Sequence, residues 1–242
     1  MPKRYLEIPG DYQYKALHEG NFIQRTWHFN QIYLIEEKFP VSAEDAVLEI
    51  GCGSGNVFSR IAKKARYATA LDISEEAIAV AKRQCEGLNN VDFRAEAIGA
   101  AKFEPGSCSK IVYQEVIEHL YENEINLLFS QAYRALKPGG KILLTTPNYK
   151  SLWPFIESLL DKFKLTPPIA NHQHVTKFDM KKLKDWLAAF HFEIIDSGGF
   201  NTVSPWFGFL PTAFVQRLTR MELKYISNLG NLIYIIGRKS SV

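Results

Sequence analysis

The chain has 242 residues, 46% hydrophobic and 23% charged, which suits one domain with a well-buried core and a sizeable elaboration. A net charge of +3, with no long basic run, is too small to follow a phosphate backbone and argues against a nucleic-acid partner. Cys52, Cys85 and Cys108 are an odd set without metal-ligand spacing, and no signal-like leader or apolar run of about 18 residues is present, so a cytoplasmic protein with reduced thiols is expected.

Residues 1–40 precede the first strand and read as an N-terminal helical cap, helical from about Asn21 to Phe39; residues 41–242 read as the main domain. The cap is dense in aromatics: Tyr5, Tyr12, Tyr14, Phe22, Trp27, Phe29, Tyr33 and Phe39. Packing of these rings onto a sheet is the plain explanation for them. The apolar run Ala46 to Ile50, broken only by Glu49, then predicts a buried parallel strand. It ends in Gly51-Cys52-Gly53-Ser54-Gly55-Asn56, where glycines permit positive φ and close approach of backbone to a ligand. An amphipathic helix is expected from Asn56 to Arg66, with Val57, Ile61, Ala62 and Ala65 inward.

A second strand, Ala68 to Leu71, ends in Asp72, and in doubly wound folds an acidic residue there accepts hydrogen bonds from ribose hydroxyls. Ser74 then caps a helix carrying Glu75 and Glu76 in its first turn, with Ala77, Ile78, Ala81 and Cys85 as its inner stripe. Val91 to Ala95 is the third strand and Ser109 to Val116 the fourth. The fourth strand exits through Gln114-Glu115-Val116-Ile117-Glu118-His119, polar groups at the carboxyl end of the sheet, where open α/β folds bind ligands. Glu122 to Leu136 is a helix, Pro138-Gly139-Gly140 a turn, and Lys141 to Thr146 the fifth strand.

Residues 151–176 interrupt the alternation with Trp153, Pro154, Phe155, Ile156, Leu159, Leu160, Phe163 and the Pro167-Pro168 pair. His172 and His174 follow, a spacing that needs further ligands to hold a metal, and His174 is expected near the acceptor or orienting a loop. A helix from Met180 to Phe190 capped by Asp179, a sixth strand from Phe192 to Ser197 and a final strand from Asn231 to Gly237 complete the pattern. Residues 200–227 form another insertion, opening with Pro205-Trp206-Phe207-Gly208-Phe209-Leu210. Within it, Phe214, Val215, Leu218, Met221 and Tyr225 recur on one helical face. Residues 203–225 could lie on a membrane surface, form a lid over an apolar substrate, or pack on the core or a second subunit of a homodimer.

Three motifs in order carry a resemblance. Glu49-x-Gly51-x-Gly53-x-Gly55, Leu71-Asp72-Ile73-Ser74 and Leu136-Lys137-Pro138-Gly139-Gly140-Lys141 resemble the motifs of the class I S-adenosylmethionine-dependent methyltransferases. The likeness runs from Ala46 to Asn148, and looser beyond. It implies a doubly wound, seven-stranded, mostly parallel sheet with an antiparallel last strand, and S-adenosylmethionine as cofactor. It also implies cofactor contacts from Glu49, Gly51, Gly53, Gly55, Asn56, Asp72, Ile73, Glu96, Ala97 and Gln114, with Glu96-Ala97 at the adenine. The run Glu115-x-x-Glu118-His119 resembles a small-molecule subset that includes the ubiquinone-biosynthesis O-methyltransferases, and in that resemblance His119 sits beside the methyl acceptor as a general base. Glu115, Glu118 and His119 could instead hold a divalent cation, or merely start a helix and cap a loop; no metal is assigned. The expected activity is O-methylation of an apolar or lipid-linked small molecule. N- or C-methylation, a non-catalytic cofactor-binding regulator and, weakest, an NAD-dependent dehydrogenase remain open.

Overall fold

The computed structural model describes residues 8–162, 174–226 and 228–240. Tyr5, Phe163, the Pro167-Pro168 pair and His172 lie outside them. Seven strands form one sheet: β1 (Ala46–Ile50), β2 (Tyr67–Asp72), β3 (Val91–Ala95), β4 (Cys108–Gln114), β5 (Leu136–Pro147), β6 (Phe192–Phe200) and β7 (Leu232–Lys239). Their order is β3-β2-β1-β4-β5-β7-β6. Pairs from β3 to β5 are parallel, and β7 runs antiparallel to both of its neighbours. The seven-stranded, mostly parallel sheet expected from the motifs is therefore present.

Strand order reverses between β1 and β4, the place where a crevice opens at the carboxyl ends of the strands. Register aligns the three exits: Ile50 pairs with both Leu71 and Tyr113, so Gly51, Asp72 and Gln114 emerge at one level. β1 is buried along its whole length, and alternation sends Val47 to one core and Leu48 and Ile50 to the other. The Val47 core is closed by α2 (Phe22–Lys38), α3 (Phe58–Ala62) and α4 (Glu75–Gln84). The opposite core is closed by α5 (Glu122–Ala135) and α7 (Met180–Ala189).

Several elements differ from the sequence expectation. Helix α1 (Tyr12–His18) carries too short a pattern to be read, since its stability comes from the loop it covers. The helix expected from Asn56 to Arg66 shrinks to five residues in α3 because Ser54 and Asn56 are held by side-chain bonds from outside the segment. β5 begins at Leu136, ahead of the expected turn: Cys108 pairs with Leu136 and Lys110 with Lys141, so residues 137–140 bulge from the ladder, with Gly139 at φ 74°. On α8 (Thr212–Tyr225) the apolar face read from the sequence turns only partly inward. The buried residues are Val215, Thr219, Glu222 and Leu223, while Phe214, Met221 and Tyr225 face outward. Polar residues win the inner face because they complete a buried network. Glu222 accepts from the Val203 and Ser204 N–H groups at 2.6 and 2.7 Å and from the Ser204 hydroxyl at 3.0 Å. Asn30 of α2 donates to Asn201 and Ser204 and accepts from Thr219. Within the 151–176 segment, α6 (Trp153–Lys162) is formed. No described helix is long and apolar enough to cross a membrane.

Candidate functional site

A cavity of about 1460 Å³ opens at the β1/β4 crevice, larger than the ~300–1,000 Å³ typical for a single small ligand. It is lined on one side by Gly51, Gly53, Asp72, Ile73, Glu96 and Ala97, and on the other by Glu115, Glu118, His119 and His174. Trp27, Trp153, Ile156, Leu159, Leu160 and Trp206 supply apolar wall. A separate chamber of about 20 Å³ adjoins it at Gly51 and gathers Glu49, Gln31, Asn56 and Gln114. The structure thus brings nine of the eleven residues singled out from sequence onto the main cavity or its side chamber without qualification; Asn56 and Gly55 need separate description.

Asn56 touches the side chamber, but its amide donates to the Gln13 carbonyl at 2.8 Å and its oxygen accepts from Gln84 at 3.0 Å, which ties α1 and α4 to the glycine turn. Gly55, at φ 83°, faces α4: a Cβ there would lie 2.7 Å from the Ala81 Cβ, so this glycine serves helix packing. Gly53 is crowded by α1, whose Gln13 Oε1 would sit 1.7 Å from an added Cβ and accepts from the Ser54 N–H at 3.0 Å. Ser54 Oγ also accepts from the Tyr14 N–H and donates to the Gly10 carbonyl. Residues 9–14 therefore cover the turn, a role no sequence motif announces.

Asp72 accepts from the Gly53 N–H at 2.8 Å and the Ser74 N–H at 2.9 Å, one per carboxylate oxygen, and each oxygen keeps a lone pair for a further donor. Burial nevertheless pushes its pKa up, against the pull of those N–H groups. Glu49 is buried at 3% exposure with its Oε2 unpartnered, and burial with the nearby Asp72 charge raises its pKa well above normal. An unmatched buried carboxyl beside a glycine turn is a place for a cationic group.

The second half of the site is built on the β4 exit. Glu115 takes a left-handed conformation, φ 54°, rare for a residue with a side chain; its carboxylate accepts from Gln31 of α2, and burial raises its pKa to about 7. Residues Ile117–His119 form a single 3-10 turn. Glu118 is fully buried: Oε2 accepts from the Thr146 hydroxyl at 3.0 Å, and Oε1 has no partner. Burial, then the charges of Glu115 and Glu157, raise its pKa well above normal. The Thr176 N–H and hydroxyl bind the Glu118 and Leu120 carbonyls, and this carries His174 to within 5.0 Å, ring to ring, of His119. His174 Nδ1 lies 2.7 Å from the Glu157 carboxylate and 2.8 Å from the Tyr149 hydroxyl. Ligand atoms of Glu118, His119 and His174 all fall within 4.8 Å of one another, so these three could hold a cation. Glu157, Tyr149 and Gln31 were not singled out in sequence, since only the fold brings them near Glu115 and His174. His28, also on the cavity, is pushed down to about 4 by burial and stays neutral.

Residues 47–140 match a family described as a methyltransferase domain. A ubiquinone biosynthesis O-methyltransferase of Azotobacter vinelandii is 29% identical over 138 residues, 56% of this chain and 55% of that protein. The chain thus spans about half the length of the curated relatives it matches. Among solved structures, a putative methyltransferase of Bacillus halodurans superposes with TM-score 0.60 at 18% identity, covering 86% of this chain and 98% of that one. Geranyl diphosphate C-methyltransferase of Streptomyces coelicolor, solved with Mg2+, geranyl-S-thiolodiphosphate and S-adenosyl-L-homocysteine, gives 0.63 at 16% identity, covering 99% and 82%. S-adenosylmethionine carries an ammonium and a sulfonium charge together with a ribose, and the unpartnered Glu49 carboxyl and the spare lone pairs of Asp72 fit those groups. Residues 47–140 thus carry the similarity to a methyltransferase domain, in a fold shared with S-adenosylmethionine-dependent methyltransferases of known structure, and the site's free acceptors fit that cofactor.

Proposed function

We propose that the protein transfers a methyl group from S-adenosylmethionine to a hydroxyl oxygen of an apolar small molecule. The observation that carries this reading is continuity: one cavity joins the Gly53 and Asp72 end to the Glu118, His119 and His174 cluster through a largely tryptophan and leucine wall. The cofactor supplies a methyl already activated by sulfonium charge, so the chain has to hold the acceptor in line and accommodate loss of its proton. Trp27, Trp153, Leu159, Leu160 and Trp206 suit the apolar body of the acceptor, and the Glu118, His119 and His174 cluster suits its hydroxyl. His119, expected as the base, belongs to that cluster. Glu96, Ala97 and Ile73 suit the adenine, and the described residues 8–40 act as the cover over the cofactor.

The name of the sequence relative, an O-methyltransferase, supports oxygen as the methyl acceptor. The geranyl diphosphate C-methyltransferase likeness keeps carbon methylation as a second reading. Phe207, Phe209, Phe214, Met221 and Tyr225 continue the apolar character onto the outer surface. Residues 203–225 are thus the entry side for an acceptor held in a lipid surface, with a homodimer face as the competing use. Vesicle co-sedimentation and light scattering separate the two.

The test is calorimetric titration with S-adenosylmethionine and NAD, followed by labelled methyl transfer to phenols, long-chain alcohols and amines. Wild type should bind S-adenosylmethionine saturably, Asp72→Ala at least ~10-fold more weakly, and the label should appear on oxygen. Absence of binding by wild type would sink the cofactor reading. Label on nitrogen or carbon, with hydroxyls untouched, would sink the oxygen assignment.

A further inference from the structure

Resting on the methyl-transfer reading above, we propose that His174, rather than His119, takes the proton from the acceptor hydroxyl, and that Glu157 and Tyr149 are the residues that position it for that step.

Helix α6 carries Glu157 one turn after Trp153, which puts the two side chains on one face. Both are buried, at 5% and 6% exposure. A carboxylate on such a face is costly unless polar partners meet it. The partners it meets are Nδ1 of His174 at 2.7 Å and the Tyr149 hydroxyl, 3.0 Å from one oxygen and 3.2 Å from the other. No described Lys or Arg forms an ion pair with it.

These contacts fix the tautomer of the imidazole. A carboxylate only accepts. Tyr149 keeps its proton, because burial and then the Glu157 charge push its pKa up, and it donates that proton to Glu157. Nδ1 of His174, 2.7 Å from a carboxylate oxygen and 2.8 Å from the tyrosine oxygen, is therefore the protonated nitrogen, and the lone pair of the ring lies on Nε2.

Main-chain bonds hold the same groups in place. The Thr176 N–H binds the Glu118 carbonyl at 3.0 Å and its hydroxyl binds the Leu120 carbonyl at 2.6 Å. The Tyr149 N–H binds the Phe178 carbonyl at 2.9 Å, which ties the segments of the tyrosine and the histidine to each other. His174 thus stands on the cavity wall beside the 3-10 turn at the β4 exit, 5.0 Å from His119, with the Trp153 ring 6.5 Å away as apolar wall for the acceptor. A hydrogen bond of any kind would tie a loop. A buried carboxylate behind an imidazole does more, since it stabilises the imidazolium formed when the ring accepts a proton.

In the step assigned to His174, the acceptor's O–H bond breaks and its proton goes to Nε2. The oxygen's electron pair forms the bond to the methyl carbon, and the S–CH3 pair returns to sulfur. The positive charge of the sulfonium is thereby replaced by that of the imidazolium, 2.7 Å from Glu157, and the proton passes to water once the product has left.

The test uses the full chain, with EDTA in every assay so that no displaced ion can account for a loss, and circular dichroism as the check on folding. Long-range 1H–15N spectra of 15N-histidine-labelled protein, assigned with His174→Gln, should show the His174 proton on Nδ1 in wild type and on Nε2 in Glu157→Gln. Labelled methyl transfer is then compared on a phenol and on a nitro-substituted phenol already ionised at the assay pH. His174→Gln should lose ~100- to 10,000-fold in turnover on the phenol, Glu157→Gln ~100-fold or more and Tyr149→Phe ~10-fold. Each should lose less than ~5-fold on the ionised acceptor, which needs no base. His119→Gln should show no such dependence on acceptor acidity. A wild-type proton on Nε2, equal losses on both acceptors, transfer abolished by EDTA, or an acidity-dependent loss in His119→Gln alone would each overturn the assignment, and the wild-type spectrum decides even where Glu157→Gln does not fold. Wild type that methylates the phenol while His174→Gln does so equally well removes the base and leaves the methyl-transfer reading intact; wild type that methylates neither acceptor removes both.

Discussion

Glu49 shows how a single residue can be obvious in sequence and still change meaning in the fold. A carboxylate inside an otherwise apolar strand is conspicuous, but only the structure places it against Asp72 and leaves its Oε2 unsatisfied. Glu49→Gln keeps the shape and removes the charge. It should weaken S-adenosylmethionine binding ~10-fold or more, about 1.5–3 kcal/mol for a charged hydrogen bond. It should leave the melting temperature equal or raised, because the buried carboxyl it replaces has an unpartnered oxygen and is disfavoured there by burial and by Asp72. Calorimetry and thermal melts check both, and undiminished affinity would remove Glu49 from the cofactor site. The cysteines offer a second check at this scale. Cys52, Cys85 and Cys108 are all buried, and burial pushes Cys85 up to about 11 and Cys108 to about 12. Thiol reagents at pH 8 should therefore react only after denaturation; rapid modification of the native protein would contradict this packing.

At the scale of elements, helices packed through apolar residues were legible down to their buried face, whereas α8, held by polar contacts, was legible only as a helix. The start of α2 near Asn21, the Ser74 cap and the helix α5 follow local chemistry and stand where expected. Helix α8 stands where expected too, but its buried face was not legible, because Glu222 is drawn inward by three N–H groups and a hydroxyl of residues 202–204. Glu222→Ala strands those donors. A cost of about 3 kcal/mol or more follows, lowering the melting temperature by roughly 6–12 °C in a chain of this size. The same change should raise protease sensitivity near residues 200–210. An unaltered melt would mean that solvent satisfies the donors instead.

Across the whole molecule, the sheet is pinned at the end opposite the site by Asp45, which joins the connection between α2 and β1 to β4. Burial alone would raise its pKa, but hydrogen bonds from Lys110, the Ser42 N–H and Ser109 outweigh it and bring it to about 2. A carboxylate depressed in the folded state adds stability that is present above its unfolded pKa near 3.8 and lost as pH falls through about 2. After allowance for screening at this partly solvated pair, ~1–2 kcal/mol is at stake. Asp45→Asn should flatten the pH dependence of stability between about pH 4 and 2, read from urea melts. An unchanged acid limb would assign it to other carboxylates.

The sequence by itself determined the alternating strand and helix order, the parallel half of the sheet, the glycine turn and the acid that ends β2. These are local patterns: periodicity sets the element, and a turn or cap needs only its neighbours in the chain. Tertiary structure alone decided which polar groups meet. The Gln13 cover on Ser54, Gln31 on Glu115, the His174 and Glu157 pair and the Asn30 network join residues that the chain separates widely. Their positions follow from strand order and burial, because a buried polar group settles wherever the fold offers it a partner, and no spacing rule in one dimension records that choice.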